Sequence, residues 1–135
     1  MSDHPEHPDH DDRREAGKAM MRDVYGWDIE PTKPFERQTV EHLFGEVWAG
    51  TDLSVRDRRL VLIGMAVGSG QTDVAGLQAD CALRLGELDA DDLRYLVTFL
   101  AHYAGWPRGA AFNSEVETII ARHEKAAATA YDDLP

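Results

Sequence analysis

Leu60-Val61-Leu62-Ile63-Gly64-Met65-Ala66-Val67 is the stretch that decides the fold of this 135-residue chain. It follows Ser54-Val55-Arg56-Asp57-Arg58-Arg59 and stops at Gly68-Ser69-Gly70. Ser54 reads as an N-cap, with Asp57 three residues on as a short capping box, so a helix is predicted over 54–68. At about 100° per residue the eight residues cover the whole circumference. A helix that is apolar all round is buried all round. This predicts a helix at the centre of the fold or at a contact between subunits.

Helical text continues on both sides. Upstream, Ala16, Met20, Met21 and Val24 give a helix over 13–25, broken by Tyr25-Gly26-Trp27-Asp28 and Pro31-Thr32-Lys33-Pro34. Val40, Leu43, Phe44, Val47 and Trp48 form an i, i+3, i+4, i+7, i+8 stripe for a helix over 35–49. Downstream, Val74, Leu77, Cys81 and Leu85 mark one face of a helix over 72–85. Asp89 is the N-cap of the next, over 90–104, with Leu93, Leu96, Val97, Leu100 and Ala104 as its stripe. Pro107 opens the last, over 107–128, which uses Ala111, Phe112, Val116, Ile119, Ile120 and His123. No alternating strand pattern and no internal repeat occur. The expectation is one all-α domain of about six helices over 13–128, between an acidic tail, 1–12, and a flexible tail, 129–135.

Composition narrows the function classes. The chain is 43% apolar and 29% charged, an ordinary globular balance. Its net charge is -11, from 14 basic and 25 acidic residues. Asp3, Glu6, Asp9, Asp11 and Asp12 crowd the first twelve positions, and Asp132 and Asp133 lie near the end. A nucleic-acid binder wants a basic face, and so does a protein of anionic membrane surfaces. Neither partner is expected. No run of 18 apolar residues and no secretory leader pattern is present, so a cytoplasmic setting is expected. Cys81 is the single cysteine, which excludes an internal disulfide and a cysteine-based zinc site. His4, His7 and His10 recur every third residue; they read as a solvated tail or as a weak nickel or zinc site. No resident metal or cofactor is expected.

Several polar residues are oddly placed for a helix bundle. Gln78 falls inside the apolar arc of its helix, where an amide needs partners, or a cavity holding water or ligand. His42 and Glu46, four apart, share a helix face and can form an oriented acid–base pair or a solvated surface pair. Arg56, Arg58 and Arg59 cluster at the positive end of the central helix, which asks for an anion: Asp57, or a bound ligand. Tyr95, Phe99 and His102 give the fifth helix a second, aromatic face suited to a subunit contact. Cys81, in an apolar face, reads as inert packing.

The order of these pieces resembles the carboxymuconolactone decarboxylase family. The matching stretches are Glu41-His-Leu-Phe-Gly-Glu-Val-Trp48, Leu53-Ser-Val-Arg-Asp-Arg-Arg-Leu60 leading into Val61-Leu-Ile-Gly-Met-Ala66, Ala82-Leu-Arg-Leu-Gly86 and Ala101-His-Tyr-Ala-Gly-Trp-Pro107. They span residues 13–125. The resemblance implies an alkylhydroperoxidase D-like all-α subunit assembled into homotrimers or hexamers. One branch of that family reduces peroxides with a Cys-x-x-Cys pair, a histidine and a glutamate. Here those places fall at Gln71, Val74, Gln78 and near Arg59, so a thiol relay is disfavoured. The other branch decarboxylates a lactone without a cofactor and usually keeps the histidine, replaced here by Gln78. One extra residue, Glu87, follows Gly86.

Two readings follow. The first is a cofactor-independent lyase or decarboxylase-type enzyme on a small anionic carbonyl or lactone. Gln78 would orient or stabilise the reacting group, Glu46 or His42 would supply acid–base chemistry, and Arg56 or Arg58 would bind a carboxylate. The second is a non-catalytic oligomeric binding or scaffold protein. Thiol-dependent peroxidase activity is a distant third. The first reading predicts a pocket with Gln78 in its wall.

Overall fold

Helix boundaries in this chain follow its turn chemistry. A computed structural model describes residues 10–135. It contains α1 (His10–Tyr25), α2 (Pro34–Gln38), a π-helical stretch (Thr39–Trp48), α3 (Val55–Gly68), α4 (Thr72–Arg84), α5 (Ala90–Ala104) and α6 (Trp106–Asp132). This is the all-α architecture with six α-helices that the periodicity predicts, and no strand occurs among the described residues. None of these helices is long and apolar enough to cross a membrane. The expectations for His4 and His7 lie outside the described residues. His10, Asp11 and Asp12 belong to α1 rather than to a tail, because two acids in a first turn favour the helix dipole and His10 pairs with Glu41 (Nδ1–Oε1 3.0 Å). At the other end, Ala126, Ala127, Ala128 and Ala130 are strong helix formers and carry α6 four residues past its predicted end.

The chain forms two compact units, divided between Val55 and Arg56. In the first, α1 packs along the π-helical stretch. The buried line of α1 is Gly17, Met21 and Val24. Gly17 is there because nothing larger fits: a Cβ at this position would lie 1.8 Å from the Val40 carbonyl oxygen. Gly17→Ala is therefore expected to push α1 off its partner, at a cost of roughly 1–3 kcal/mol. Urea unfolding followed by tryptophan fluorescence would show it, since Trp27 and Trp48 both lie in this unit.

Residues 39–48 depart from the predicted α-helix. Val40, Phe44 and Trp48 are buried, whereas Leu43 and Val47, expected on the same stripe, are exposed. The physical reason is the i→i+5 bonding, which widens each turn and brings residues four apart nearly into line, so the i+3 positions leave the face. Phe44 stacks with Trp48 at 6.2 Å and meets Tyr25 edge-on at 5.7 Å.

The second unit holds α3 to α6 around a core of Ile63, Ala66, Val67, Ala75, Ala79, Ala82, Leu88, Leu93, Val97, Phe112, Val116, Ile119 and Ile120. The octapeptide is central to it on one side only. Ile63, Ala66 and Val67 are buried, but Val61 and Met65 are 64% and 60% exposed. Burial all round within the chain is thus corrected: these two residues, four apart, form an apolar strip on the outside of α3.

α4 is rotated from the predicted stripe. Leu77 and Leu85 are exposed, and the buried face is Ala75, Ala79 and Ala82, with Gly76, Gln78 and Cys81 beside them. Small residues let α4 approach α6 closely; a Cβ on Gly76 would lie 2.6 Å from a Glu115 carboxylate oxygen. α5 starts as predicted. Asp92 N–H donates to Asp89 Oδ1 (2.8 Å) and Asp89 N–H to Asp92 Oδ2 (3.0 Å), a reciprocal capping box. Pro107 stands in the first turn of α6, as predicted.

Candidate functional site

The end of α4 builds the most unusual polar arrangement of the second unit. Gly86 adopts φ +73°, the left-handed conformation that ends helices. Its N–H donates to the Leu83 carbonyl (3.3 Å), and Glu87 N–H donates to the Ala82 carbonyl (2.9 Å). These two bonds define a Schellman turn. The turn sets the Glu87 side chain against Arg59. Arg59 Nε donates to Glu87 Oε1 (2.8 Å) and Nη2 to Oε2 (3.2 Å), a two-pronged grip on the carboxylate. Arg59 Nη1 donates to Gln78 Oε1 at 2.6 Å. Arg56 Nε reaches the Glu87 carbonyl at 3.1 Å and holds the same turn from outside.

Burial makes this cluster matter. Arg59 is 0% exposed and Gln78 is 3% exposed, while the Glu87 side chain keeps 13% of its surface. A buried guanidinium is tolerated only with a counter-charge and well-placed acceptors. Glu87 is thus an anion for the arginine cluster that the sequence reading sought in Asp57 or a ligand. The contact also sets the flip of the Gln78 amide: Oε1 faces the guanidinium, so the donating end points away from it.

Of the predicted site residues, Arg56, Arg58 and Gln78 belong to the second unit, and His42 and Glu46 to the first. Gln78 is buried as predicted. Arg56 is exposed and Arg58 partly buried. Arg59 and Glu87 were not paired by sequence reasoning, though a signal existed. Arg59 stands four residues before Ile63 and seven before Ala66, on the core line of α3, and Glu87 directly follows the helix-ending Gly86.

In the first unit, His42 Nδ1 and Glu46 Oε2 are 3.3 Å apart on the surface, and Arg13 Nη1 donates to Glu46 Oε1 at 2.7 Å. The Arg13 guanidinium, seconded by His42, holds the Glu46 carboxyl below the usual carboxylate range. Glu46 is thus a carboxylate held in its charged form by its neighbours. A depressed folded-state pKa contributes stability above the unfolded value near 4.3 and loses it as pH falls through the folded value. Wild type is thus expected to lose stability relative to Glu46→Gln only in that acid window, which urea unfolding at stepped pH would reveal.

Cys81 is fully buried, with Arg84 Nη2 3.4 Å from its sulfur. Burial pushes the Cys81 thiol up, against the pull of Arg59 and Arg84. A protonated, enclosed thiol is a poor nucleophile. No group of three or more His, Cys, Asp or Glu residues that could hold a metal ion occurs among the described residues. On α5, Tyr95, Phe99 and Tyr103 are exposed, as is Trp106 at the start of α6. Tyr95 stacks on Phe99 at 6.1 Å, and a groove of about 430 Å³ runs between Tyr95, Thr98, Phe99, His102 and Tyr103.

Compared with family models, with curated proteins and with solved structures, the chain matches none of them.

Proposed function

We propose that the chain is a cofactor-independent lyase of the carboxymuconolactone decarboxylase type, acting on a small anionic carbonyl or lactone. One observation carries the reading. Gln78, at the place where the resemblance expects the family's histidine, is buried in the second unit and accepts a hydrogen bond from the buried Arg59 at 2.6 Å. A buried amide fixed by a charged donor supports a built polar site rather than plain packing. Decarboxylation through a conjugated electron sink needs a held carboxylate, a donor to the developing enolate oxygen and a returned proton. Arginine serves the first need and the amide hydrogens of Gln78 the second.

The test is a panel of lactones and β-keto acids incubated with the purified chain and read by mass spectrometry. Loss of CO₂ from one substrate above the no-protein rate supports the reading. A panel without turnover counts against it.

A non-catalytic, oligomeric binding protein of the same fold is the second reading. It is favoured by the exposed apolar strip Val61 and Met65 and by the aromatic face of α5. Under either reading we propose a homotrimer or hexamer, with those faces covered by neighbouring copies. Light scattering at micromolar concentration should give three or six times the chain mass, and a monomer would contradict it.

A further inference from the structure

We infer that α5 is a two-fold contact between two copies of this chain, packed antiparallel with the Phe99 rings side by side near the axis. The contact rests on the proposed homo-oligomer and deepens it: a two-fold selects the hexamer, since a three-membered ring has none. The outer face of α5 is palindromic. Tyr95, Phe99 and Tyr103 stand four apart and form one ridge, which reads Tyr, Phe, Tyr from either end. Turned end for end, the ridge meets itself, with Tyr95 of one copy beside Tyr103 of the other. An isologous contact asks this of a surface, because one patch serves both partners. Charge follows the same half-turn. α5 begins on Asp91 and Asp92, and no acid occurs from Leu93 to Ser114, where Arg94 and Arg108 are the only formal charges. Antiparallel packing sets the acidic start of each copy against the acid-free end of the other, which carries His102 and Arg108. Parallel packing would set acid against acid.

The patch has the size and composition of an interface core. Tyr95, Phe99, Tyr103 and, beside them, Trp106 are 68%, 45%, 82% and 66% exposed. At roughly 200 Å² per aromatic side chain they present on the order of 500 Å² per copy, more than half of what a standard interface buries on each partner. In a chain of net charge -11, this surface is aromatic and free of charged side chains. It is also formed in advance. Tyr95 and Phe99 stack at 6.1 Å, Phe99 and Tyr103 meet at 5.3 Å, and His102 Nδ1 donates to the Thr98 carbonyl at 2.6 Å. Side chains already in place lose less entropy on association. The groove of about 430 Å³ along the ridge gives the rings of the other copy room to pack between these.

The experiment compares the full-length wild type with Phe99→Glu, Phe99→Lys and an equimolar mixture of the two, by light scattering and sedimentation velocity. Circular dichroism checks that the variants fold. A residue beside its own counterpart meets a like charge in either pure variant and an opposite charge in the mixture. Wild type should contain an even number of copies. Each variant alone should associate at least about a hundredfold more weakly across the two-fold, so that a hexamer falls to trimers or a dimer to monomers. The mixture should restore the even assembly. Tyr103→Ala removes one exposed ring, should weaken association at least about tenfold, and carries the test should a charge at Phe99 prevent folding. A monomeric wild type at micromolar concentration would overturn the contact, as would variants that associate as tightly as wild type. So would a mixture that stays dissociated, because the contact would then join two different patches. The outcome is separable from the homotrimer reading. A trimer untouched by the Phe99 variants removes the two-fold and leaves that reading. A dimer that splits at Phe99 and never exceeds two copies keeps the two-fold and removes the trimer and the hexamer.

Discussion

Glu87→Ala is expected to lower the stability of the chain by about 3–5 kcal/mol, the usual cost of removing one partner of a buried ion pair. Arg59 has no exposed surface and cannot turn to water for its lost counter-charge. Gln78 Oε1 still accepts from it, but a neutral amide does not replace the carboxylate's charge. The direction distinguishes this pair from the surface pairs of the same unit. Arg94 and Glu117, close at 2.9 Å but half exposed, should contribute little when broken. Replacing both Arg59 and Glu87 by apolar residues of similar volume should recover much of the loss, because the penalty comes from the stranded charge rather than the missing contact. Urea unfolding of the three variants tests the argument. A loss under about 1 kcal/mol for Glu87→Ala would mean that the guanidinium is better solvated than its burial indicates.

The second large effect is on turnover. Once a substrate is in hand, Gln78→Ala should lower kcat by roughly 10²–10³-fold, the range for removing one preorganised donor from a developing oxyanion. KM should change little, since a contact made in the transition state acts on kcat. The split matters, because Gln78 also accepts from Arg59. A purely structural role would appear as lost stability with kcat per folded molecule intact. Gln78→His puts back the residue that the resemblance expects, and its pH–rate profile should acquire a limb near the imidazole pKa if proton transfer is restored. Activity of Gln78→Ala within threefold of wild type would remove the oxyanion role.

Much of the architecture was legible in one dimension because helix signals are local. Asp89 caps α5 through its own neighbour Asp92, and Pro107 opens α6 by its fixed φ; both act within four residues along the chain. The core positions of α5 and α6 follow the same short-range periodicity, with Leu93, Val97, Phe112, Val116, Ile119 and Ile120 buried. Periodicity failed where a close helix contact outranked side-chain size. On α4 the alanines are inside and Leu77 is outside, because small residues permit the approach to α6. In residues 39–48, helix type is decided by backbone bonding, which composition does not encode.

By itself, then, the sequence determined the helical class, the sites of the breaks, the placement of Gln78 in a buried arc and the absence of a second thiol to partner Cys81. The tertiary structure alone decided which side of α3 is covered, that Gly17 meets the backbone at Val40, and that Arg59, Gln78 and Glu87 converge. The physical reason is range. Capping and amphipathic periodicity are settled within a turn or two, whereas a buried charge finds its counter-charge 28 residues away, through a turn whose direction depends on one left-handed glycine.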